Sequence, residues 1–378
     1  MRIAVIKETK DFENRVALTP DLIKTLVKKG FEVTVESGSG LKSSFSDEQY
    51  TAVGASIAEN TREAAQADVI LKVNSFTQEE ISLMPDASVC ISFMYAYTIP
   101  EVLEVMKKKN ISSFSMDAVP RISRAQKMDA LSSQANLAGY KTVLLGANAL
   151  GKIFPLMMTA AGTITPAKVL IFGAGVAGLQ AIATARRLGA VVEVSDVRPE
   201  TKEQVESLGG RFLSVEGVEG VKVEGGYAKE VSAEFLQKQK ELIQDRIKDA
   251  DIVITTALVI GKKAPVLVTE EMVKSMKIGS VIVDMAVESG GNCEIAEMNK
   301  TVVKHGVTII GESNLPSLLP INASQLYATN ISALLLHLAD KGGFKWEMEE
   351  DITKGSLITH KGEIVHEFTL DILAKNKE

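Results

Sequence analysis

Short apolar runs alternate with longer amphipathic segments from the first residues of the chain. Thr19-Pro20 precedes an amphipathic segment that ends at Gly30, which is the pattern of a capped helix. Strands and helices in regular alternation predict a parallel sheet with helices on both faces. The predicted strands are 2–6, 31–35, 69–73, 89–94 and 111–114, and capping boxes at Ser46 with Gln49 and at Thr77 with Glu80 mark further helix starts.

The alternation is interrupted between residues 117 and 151, where a polar stretch leads into a long helix with apolar spacing. A second series of strands and helices runs from 167 to about 310, and another long helix, from 322 to about 341, follows it. We therefore expect two doubly wound, Rossmann-like α/β domains with a cleft between them. The expected boundaries give a discontinuous first domain, 1–130 plus 320–378, and a second domain, 131–319.

Composition narrows the class of protein. A length of 378 residues suits two or three domains, and 46% hydrophobic with 24% charged residues is typical of a soluble globular chain. The net charge of −6 argues against nucleic acid as a partner, and two cysteines favour a reducing compartment over a disulfide framework. A strand that begins at Arg2 leaves no room for a signal or transit peptide, and no apolar run reaches the roughly 20 residues of a membrane span.

Residues 173–178 (GAGVAG) have the form G-x-G-x-x-G. The pattern alone is weak, but here it follows a predicted strand, 169–172, and opens a predicted helix, 176–188. Gly173 would permit a tight turn, Gly175 the close approach of a pyrophosphate, and Gly178 the packing of helix on strand. The sequence therefore predicts a dinucleotide site, with a non-binding βαβ turn as the alternative.

Asp196 ends the next predicted strand, 191–194. A carboxylate at this place binds the adenosine ribose hydroxyls and repels a 2′-phosphate, which favours NAD over NADP. Arg198, two residues further on, could instead accept a 2′-phosphate.

Two further strand ends, 255–258 and 284–291, are expected to hold the second ribose or the nicotinamide through backbone amides, since ligands bind at the carboxyl ends of strands. Ordinary strand-to-loop punctuation is the alternative there. Besides the three glycines, the predicted cofactor-binding residues of this domain are Val176, Ala177, Asp196, Val197, Arg198, Thr255, Ala257, Leu258, Asp284 and Glu288.

The chain shows no sequence signature of a metal site or of a nucleophilic triad. Its four histidines, at 305, 337, 360 and 366, are scattered and have no ligand spacing. Hydride transfer from a nicotinamide requires positioning rather than a protein nucleophile, so this composition is consistent with it.

Residues 120–140 (PRISRAQKMDALSSQANLAGY) closely resemble the NAD(H)-binding component of proton-translocating nicotinamide nucleotide transhydrogenase. Residues 157–163, 178–185, 201–210 and 225–230 resemble it too, so the resemblance spans essentially the whole chain. The related alanine dehydrogenases share the opening pattern found here at 8–10 (ETK) and 15–20 (RVALTP).

The resemblance implies roles for four residues of the first of these segments. Asp129 and Ser132 would bind the nicotinamide carboxamide, Arg121 would reach the phosphate or ribose side, and Gln126 would touch NADP(H) carried by a partner. From composition alone, the segment could simply be the capped start of the long helix.

An NAD-dependent alanine or other amino-acid dehydrogenase is the alternative function. By resemblance, Asn74 stands where that enzyme has its catalytic lysine, Tyr95 where it has its histidine, and Glu288 where it has an aspartate near the nicotinamide. Such an enzyme needs a base with a pKa near neutral and a cation for the substrate carboxylate, and only Arg15 remains for these tasks. A non-catalytic NAD-sensing module is a third possibility.

The resemblance implies that the chain presents NADH for direct hydride transfer to NADP⁺ on an NADP(H)-binding beta subunit, coupled to proton translocation by a membrane-spanning subunit. It also implies a homodimer in the cytoplasm, peripheral on the inner face of the cell membrane through those partners. Residues 217–230 are predicted to be a loop without internal structure. By resemblance, this loop would close over bound nucleotide with Tyr227 as its contact.

Overall fold

The computed structural model describes residues 1–215, 221–224, 227–258 and 261–375. The chain forms two compact units. The first comprises Met1–Gln134 and Ser317–Glu378, and the second comprises Ala135–Pro316. The prediction of two α/β domains is confirmed. Among the described residues, no helix combines the length and the apolar character that crossing a membrane requires.

The elements follow in chain order. The first strands are β1 (Arg2–Val5), β2 (Glu32–Glu36), β3 (Ser56–Ala58), β4 (Val69–Leu71), β5 (Val89–Ser92) and β6 (Ser112–Ser115). The helices among and after them are α1 (Pro20–Lys28), α2 (Asp47–Ala52), α3 (Thr61–Ala64), α4 (Gln78–Leu83), α5 (Pro100–Lys108) and α6 (Ala130–Ala149).

The middle of the chain contains the strands β7 (Met157–Thr159), β8 (Gly162–Ile164), β9 (Lys168–Phe172), β10 (Val191–Ser195), β11 (Arg211–Phe212), β12 (Val221–Glu224), β13 (Tyr227–Val231), β14 (Ile252–Thr255), β15 (Val281–Asp284), β16 (Lys300–Lys304) and β17 (Val307–Gly311). Its helices are α7 (Val176–Arg187), α8 (Thr201–Ser207), α9 (Ala233–Arg246) and α10 (Glu270–Ser275). The chain then continues through α11 (Pro320–Leu338), β18 (Ala339–Asp340), β19 (Gly343–Phe344), α12 (Asp351–Ser356), β20 (Leu357–His360), β21 (Glu363–Ile364) and α13 (Glu367–Lys375).

The first unit is built on a sheet whose described strands follow the order β21-β20-β6-β5-β4-β1-β2-β3. Alternate residues of β1 enter different cores: Ile3 and Val5 belong to the core on one face, and Ala4 to the core on the other. A strand buried on both faces reads as a continuous apolar run, which explains the RIAV sequence of β1. The chain order reverses beside β1, where β2 pairs on one side and β4 on the other.

The second unit is built on a sheet whose described strands follow the order β11-β10-β9-β14-β15-β17-β16. Its β9 strand likewise sends Val169 and Ile171 into one core and Leu170 and Phe172 into another. The strand order reverses at β9, because β10 pairs with it on one side and β14 on the other. Ligands of doubly wound folds bind at such a switch point, outside the carboxyl ends of the strands.

Neither sheet is entirely parallel, which corrects the prediction. In the first, β20 pairs antiparallel with β6, and in the second, β16 pairs antiparallel with β17. The link between β16 and β17 is His305 and Gly306, both at positive φ, 53° and 79°. A two-residue turn of this kind can join only antiparallel strands.

The predicted unstructured loop, 217–230, is also corrected. Within it β12 and β13 form an antiparallel pair, from Val221 opposite Val231 to Glu224 opposite Tyr227. The alternating valines of β12 are a strand pattern that the glycines around them obscured. Residues 216–220 and 225–226 lie outside the described part of the chain, as does the side chain of Tyr227, so its predicted nucleotide contact stays a prediction.

Candidate functional site

The glycine-rich turn joins β9 to α7, and its three glycines differ in their surroundings. Gly173 has a φ of 102°, in the left-handed region, and its N–H donates to the carbonyl of Ser195 at 2.9 Å. A Cβ atom on Gly178 would lie 1.9 Å from the carbonyl oxygen of Gly173, so helix and turn are in direct backbone contact. A Cβ atom on Gly175 would meet no atom within 4 Å. The turn itself therefore requires Gly173 and Gly178, whereas Gly175 borders open space.

The start of α7 suits an anion. Its N-cap is Gly175, which has no side chain to accept the first N–H groups, including those of Val176 and Ala177. The helix dipole adds positive potential at the same point. Gly139 of α6 packs against this first turn so closely that a Cβ atom there would lie 2.1 Å from the Ala177 carbonyl oxygen. A braced helix start beside open space fits a pyrophosphate group.

Asp196 follows β10 and is 8% exposed. Its Oδ2 accepts a hydrogen bond from the backbone N–H of Ala174 at 2.6 Å, which ties the end of β10 to the glycine turn. Arg198 donates three more bonds to the same carboxylate: from its backbone N–H and Nε to Oδ1, at 2.8 and 2.9 Å, and from Nη2 to Oδ2, at 2.7 Å. The residue predicted to bind ribose is therefore in a tight ion pair with the residue suggested to bind a 2′-phosphate.

Thr255 and Asp284, at the ends of β14 and β15, are fully buried. The Thr255 hydroxyl donates to Asp284 Oδ1 at 3.0 Å, and the carboxylate also accepts the N–H groups of Ala286 and Cys293, each at 2.9 Å. Their side chains fix the loops that follow the strands. Any contact with a nucleotide at these two positions would be made by the backbone.

The loop after β14 is held on both sides. The Thr256 hydroxyl donates to the carbonyl of Phe172 at 3.0 Å, beside the glycine turn. Buried Asn292 exchanges two hydrogen bonds with the backbone of Ala257: its Oδ1 accepts the N–H at 3.0 Å, and its Nδ2 donates to the carbonyl at 2.9 Å. Sequence reasoning missed Asn292, which lies in no motif. Of the other predicted residues, Val197 is half-buried, and Leu258 and Glu288 are exposed.

The structure thus brings a subset of the predicted residues to one sheet edge. The glycine turn, Asp196 and the 255–258 loop follow β9, β10 and β14, which are adjacent strands. Asp284 follows β15, the next strand along. Arg121, Gln126, Asp129 and Ser132 belong to the first unit.

In the first unit, a 3₁₀ helix, Ser123–Met128, precedes α6. Asp129 caps α6: its Oδ1 accepts the backbone N–H of Ser132 at 2.9 Å, and its Oδ2 accepts the Ser132 hydroxyl at 2.6 Å. Arg121 and Gln126 are exposed. The capping interaction considered from composition is therefore present.

Buried Asn330 on α11 anchors this segment. Its Nδ2 donates to the carbonyl of Lys127 at 2.9 Å, and its Oδ1 accepts the Ser133 hydroxyl at 2.6 Å. Asn330 thereby connects the chain on both sides of Asp129. Arg124 adds an ion pair with Asp351 at 2.5 Å. Neither Asn330 nor Arg124 was identified from the sequence.

A buried polar cluster lies beside the switch point of the first sheet. Glu13 is fully buried and binds Arg15 through both oxygens, with Nε to Oε1 at 2.8 Å and Nη2 to Oε2 at 2.6 Å. Arg15 also donates to the Gln134 side chain at 2.9 Å, and Asn74 donates to Glu13 Oε2 at 2.8 Å. Burial alone would raise the pKa of Glu13, but the charge and hydrogen bonds of Arg15, with the bond from Asn74, lower it to about 2.

Glu8, after β1, has the opposite shift. Burial raises its pKa to about 7, helped by the negative charge of Glu13 and opposed by Lys72 and the hydrogen bonds of Asn74 and Val73. The Asn74 amide donates to both carboxylates, at 2.9 Å to Glu8 and 2.8 Å to Glu13. These polar groups mainly satisfy one another.

Tyr95 follows β5 in a left-handed conformation, with φ 43° and ψ 54°. Asp117 holds this turn, because its Oδ1 accepts the N–H groups of Met94 and Tyr95 at 2.8 and 3.1 Å. The ring is 44% exposed.

Models of known families match nearly the whole chain: alanine dehydrogenase/PNT, N-terminal domain, over residues 4–138, and alanine dehydrogenase/PNT, C-terminal domain, over residues 142–367. The first portion of the NAD(P) transhydrogenase alpha subunit of Rhodospirillum rubrum, a separate polypeptide, is 50% identical over 376 residues, covering 97% of this chain and 98% of that protein. The alanine dehydrogenase of Bacillus subtilis is 31% identical over 376 residues, covering 97% and 93%. The crystal structure of transhydrogenase from Sinorhizobium meliloti matches with a TM-score of 0.89 and 44% identity, covering 97% of this chain and all of that one. The chain therefore belongs to the alanine dehydrogenase/PNT family and, within it, is a transhydrogenase alpha-subunit component.

Proposed function

We propose that this chain is the NAD(H)-binding component of a proton-translocating transhydrogenase. When bound, NADH would supply a hydride from C4 of its nicotinamide directly to NADP⁺ on a separate subunit. The observation that carries the proposal is the glycine turn at the switch point of the second sheet, where Gly175 leaves open space beside the start of α7. This is the arrangement by which doubly wound folds bind dinucleotides.

Each strand end of the second sheet has a role in this proposal. The N–H groups of Val176 and Ala177 would hold the pyrophosphate, and Asp196 would accept the adenosine ribose hydroxyls. The backbone of Ala257, held in place by Asn292, would contact the second ribose or the nicotinamide. The loop after β15 would do the same through the backbone at Asp284 and through Glu288.

The segment 121–132 would act at the reacting end of the nucleotide. A carboxylate has about four acceptor sites, and the two bonds from Ser132 use two sites of Asp129, so capping α6 is compatible with binding a carboxamide. Arg121 would reach the phosphate or ribose side. Gln126, exposed on a 3₁₀ helix that Asn330 anchors, would contact the partner's NADP(H).

Hydride transfer requires no general acid or base, because the step moves no separate proton. The protein's task is to hold the donor and acceptor carbons at about 3–3.5 Å, excluding the solvent between them. An anchored polar loop serves that task better than a titrating residue.

The contacts of the first unit weigh against the amino-acid dehydrogenase alternative. Arg15 is bound to a buried carboxylate at 2.6 Å and is not presented to a substrate. Asn74 has no amine, and Lys72, two positions earlier, is 2% exposed with its Nζ 2.7 Å from Glu80. Tyr95 has no basic nitrogen to serve as the histidine would.

The names of the related alpha subunits imply a complex with partner subunits. We propose that the partners are an NADP(H)-binding beta subunit and a membrane-spanning subunit, that proton translocation is coupled through the latter, and that they hold this chain at the inner face of the cell membrane. We also propose a homodimer. The apolar residues Leu156, Met158 and Ile164 in and beside the β7–β8 hairpin are 57%, 78% and 42% exposed, which supports a protein contact there.

The proposal is tested by mixing the purified chain with a recombinant transhydrogenase NADP(H)-binding domain and following hydride exchange between NADH and an NADP⁺ analogue. Gln126→Asn should reduce the exchange rate far more than it weakens NADH binding, because the interaction would be made only in the ternary complex. Gln78→Asn, the same change on the exposed surface of α4, is the matched control and should alter neither quantity.

The outcomes separate the alternatives. NADH binding without any exchange would favour a non-catalytic NAD-sensing module. NADH production from an amino acid by the chain alone would favour a dehydrogenase. Rate loss in Gln126→Asn only in proportion to lost NADH affinity would make Gln126 an ordinary binding residue.

A further inference from the structure

The carboxylate of Asp196 is saturated with hydrogen bonds inside its own domain. Its Oδ1 accepts two, from the backbone N–H and the Nε of Arg198, and its Oδ2 accepts two, from the N–H of Ala174 and the Nη2 of Arg198. Four bonds at 2.6–2.9 Å match the roughly four acceptor sites that a carboxylate offers.

Two of these four bonds come from the backbone and two from the guanidinium. The N–H groups of Ala174 and Arg198 are fixed by the turns that contain them, because the first belongs to the glycine turn and the second follows β10 directly. Side-chain donors can leave by a change of rotamer. A ribose diol can therefore reach Asp196 only at the two positions that Nε and Nη2 of Arg198 hold.

We propose that Arg198 determines nucleotide selectivity by competing with the ribose of NAD(H) for Asp196. This inference rests on the proposed binding of NAD(H) to this domain. Binding NAD(H) exchanges two charge-assisted bonds of a guanidinium for two bonds of neutral hydroxyls, which are the weaker type, so the ion pair lowers the affinity for NAD(H).

The same arginine acts in the opposite direction on NADP(H). A 2′-phosphate has acceptor oxygens and cannot replace the donors on Asp196, whereas a guanidinium binds phosphate bidentately. Arg198 also offsets the negative charge of Asp196 that would repel the phosphate. Arg198 therefore weakens NADH binding and strengthens NADPH binding, and the wild-type preference for NADH is narrower than Asp196 alone would give.

The test is a calorimetric titration of NADH and NADPH into the full chain and into Arg198→Met, which retains an unbranched apolar side chain without donors. The dissociation constant for NADH should fall and that for NADPH should rise, so that their ratio changes by about tenfold or more. Arg211→Met is the matched control. Arg211 lies on β11, which neighbours β10 in the same sheet, and pairs with Glu193, so the variant removes the same charge without touching Asp196.

Weaker NADH binding in Arg198→Met, or an unchanged ratio of the two constants, would overturn the inference. A change of equal size in Arg211→Met would assign the effect to net charge and would overturn it too. If Arg198→Met fails to fold, Arg198→Lys, which can reach the carboxylate with a single nitrogen, should change the ratio in the same direction by a smaller factor. Failure of the unmutated chain to bind NADH would instead refute the proposed function.

Discussion

Gly175 and Gly178 lie three residues apart in one turn, and replacing each by alanine should have opposite consequences. Gly175 has φ −76° and ψ −172°, a conformation open to alanine, and its Cβ atom would meet nothing within 4 Å. Gly175→Ala should therefore change the free energy of unfolding by no more than about 0.5 kcal/mol. The methyl group would occupy the space that a pyrophosphate must approach, so the dissociation constant for NADH should rise about tenfold or more, equivalent to about 1.4 kcal/mol.

Gly178→Ala should instead destabilise the fold. Its Cβ atom would lie 1.9 Å from the Gly173 carbonyl oxygen, where real Cβ contacts are essentially never under 3.0 Å, so α7 or the turn must move by about 1 Å. Overpacking of this kind costs about 1–3 kcal/mol. For a unit of this size, the melting temperature should fall by roughly 2–12 °C.

The assay combines calorimetric melting without nucleotide and titration with NADH. Gly151→Ala is the matched control, because Gly151 also has nothing within 4 Å of an added Cβ atom but lies outside the turn, and it should alter neither stability nor binding. The reasoning would be refuted if Gly175→Ala bound NADH as tightly as the unmutated chain, or if it lost binding only together with stability.

Three other outcomes are expected. Asp196→Ala should weaken NADH binding about tenfold and NADPH binding less, as measured by titration of both nucleotides; equal losses would remove Asp196 from the ribose site. Because the folded-state pKa of Glu8 is about 7, above its ordinary 4.5, the folded chain retains a proton that the unfolded chain releases between these values, so the melting temperature should fall as pH rises through this window and Glu8→Gln should flatten the profile; an unchanged profile in the variant would contradict the assigned shift. The chain alone should produce no NADH from a panel of amino acids at pH 7 to 10; turnover of about 1 per second or more would restore the dehydrogenase alternative.

Local signals in the sequence predicted the elements that depend on neighbouring residues. The predicted strand 169–172 and helix 176–188 correspond to β9 and α7 within one residue at each end. Both predicted capping boxes are present, at Ser46 with Gln49 and at Thr77 with Glu80. The cap at Thr19 is different: α1 follows it, but its hydroxyl has no hydrogen-bond partner within the described part of the chain.

Elements that depend on distant partners were not predictable. The antiparallel edge strand β20 pairs with β6, more than two hundred residues earlier, and its four-residue sequence has no distinguishing period. The β7–β8 hairpin has only three residues per strand, too few for alternation to be recognised.

The candidate site shows the same division. The residue types at the glycine turn and at Asp196 follow from a motif, but the saturation of Asp196 by Arg198 depends on the backbone turn after β10. Asn292 and Asn330 position two loops through hydrogen bonds to the backbone of Ala257 and Lys127, which are distant in the sequence. No sequence pattern distinguishes such an asparagine from one that faces solvent.

Direct hydride transfer is the central claim, and following deuterium tests it most directly. The chain, loaded with NADH that carries deuterium at the transferred position of C4, is mixed with an NADP(H)-binding domain and NADP⁺, and the NADPH formed is analysed by mass spectrometry. Direct transfer predicts one deuterium in each NADPH formed, and none when unlabelled NADH reacts in D₂O. NADPH that lacks the label, or that acquires deuterium from the solvent, would contradict the account.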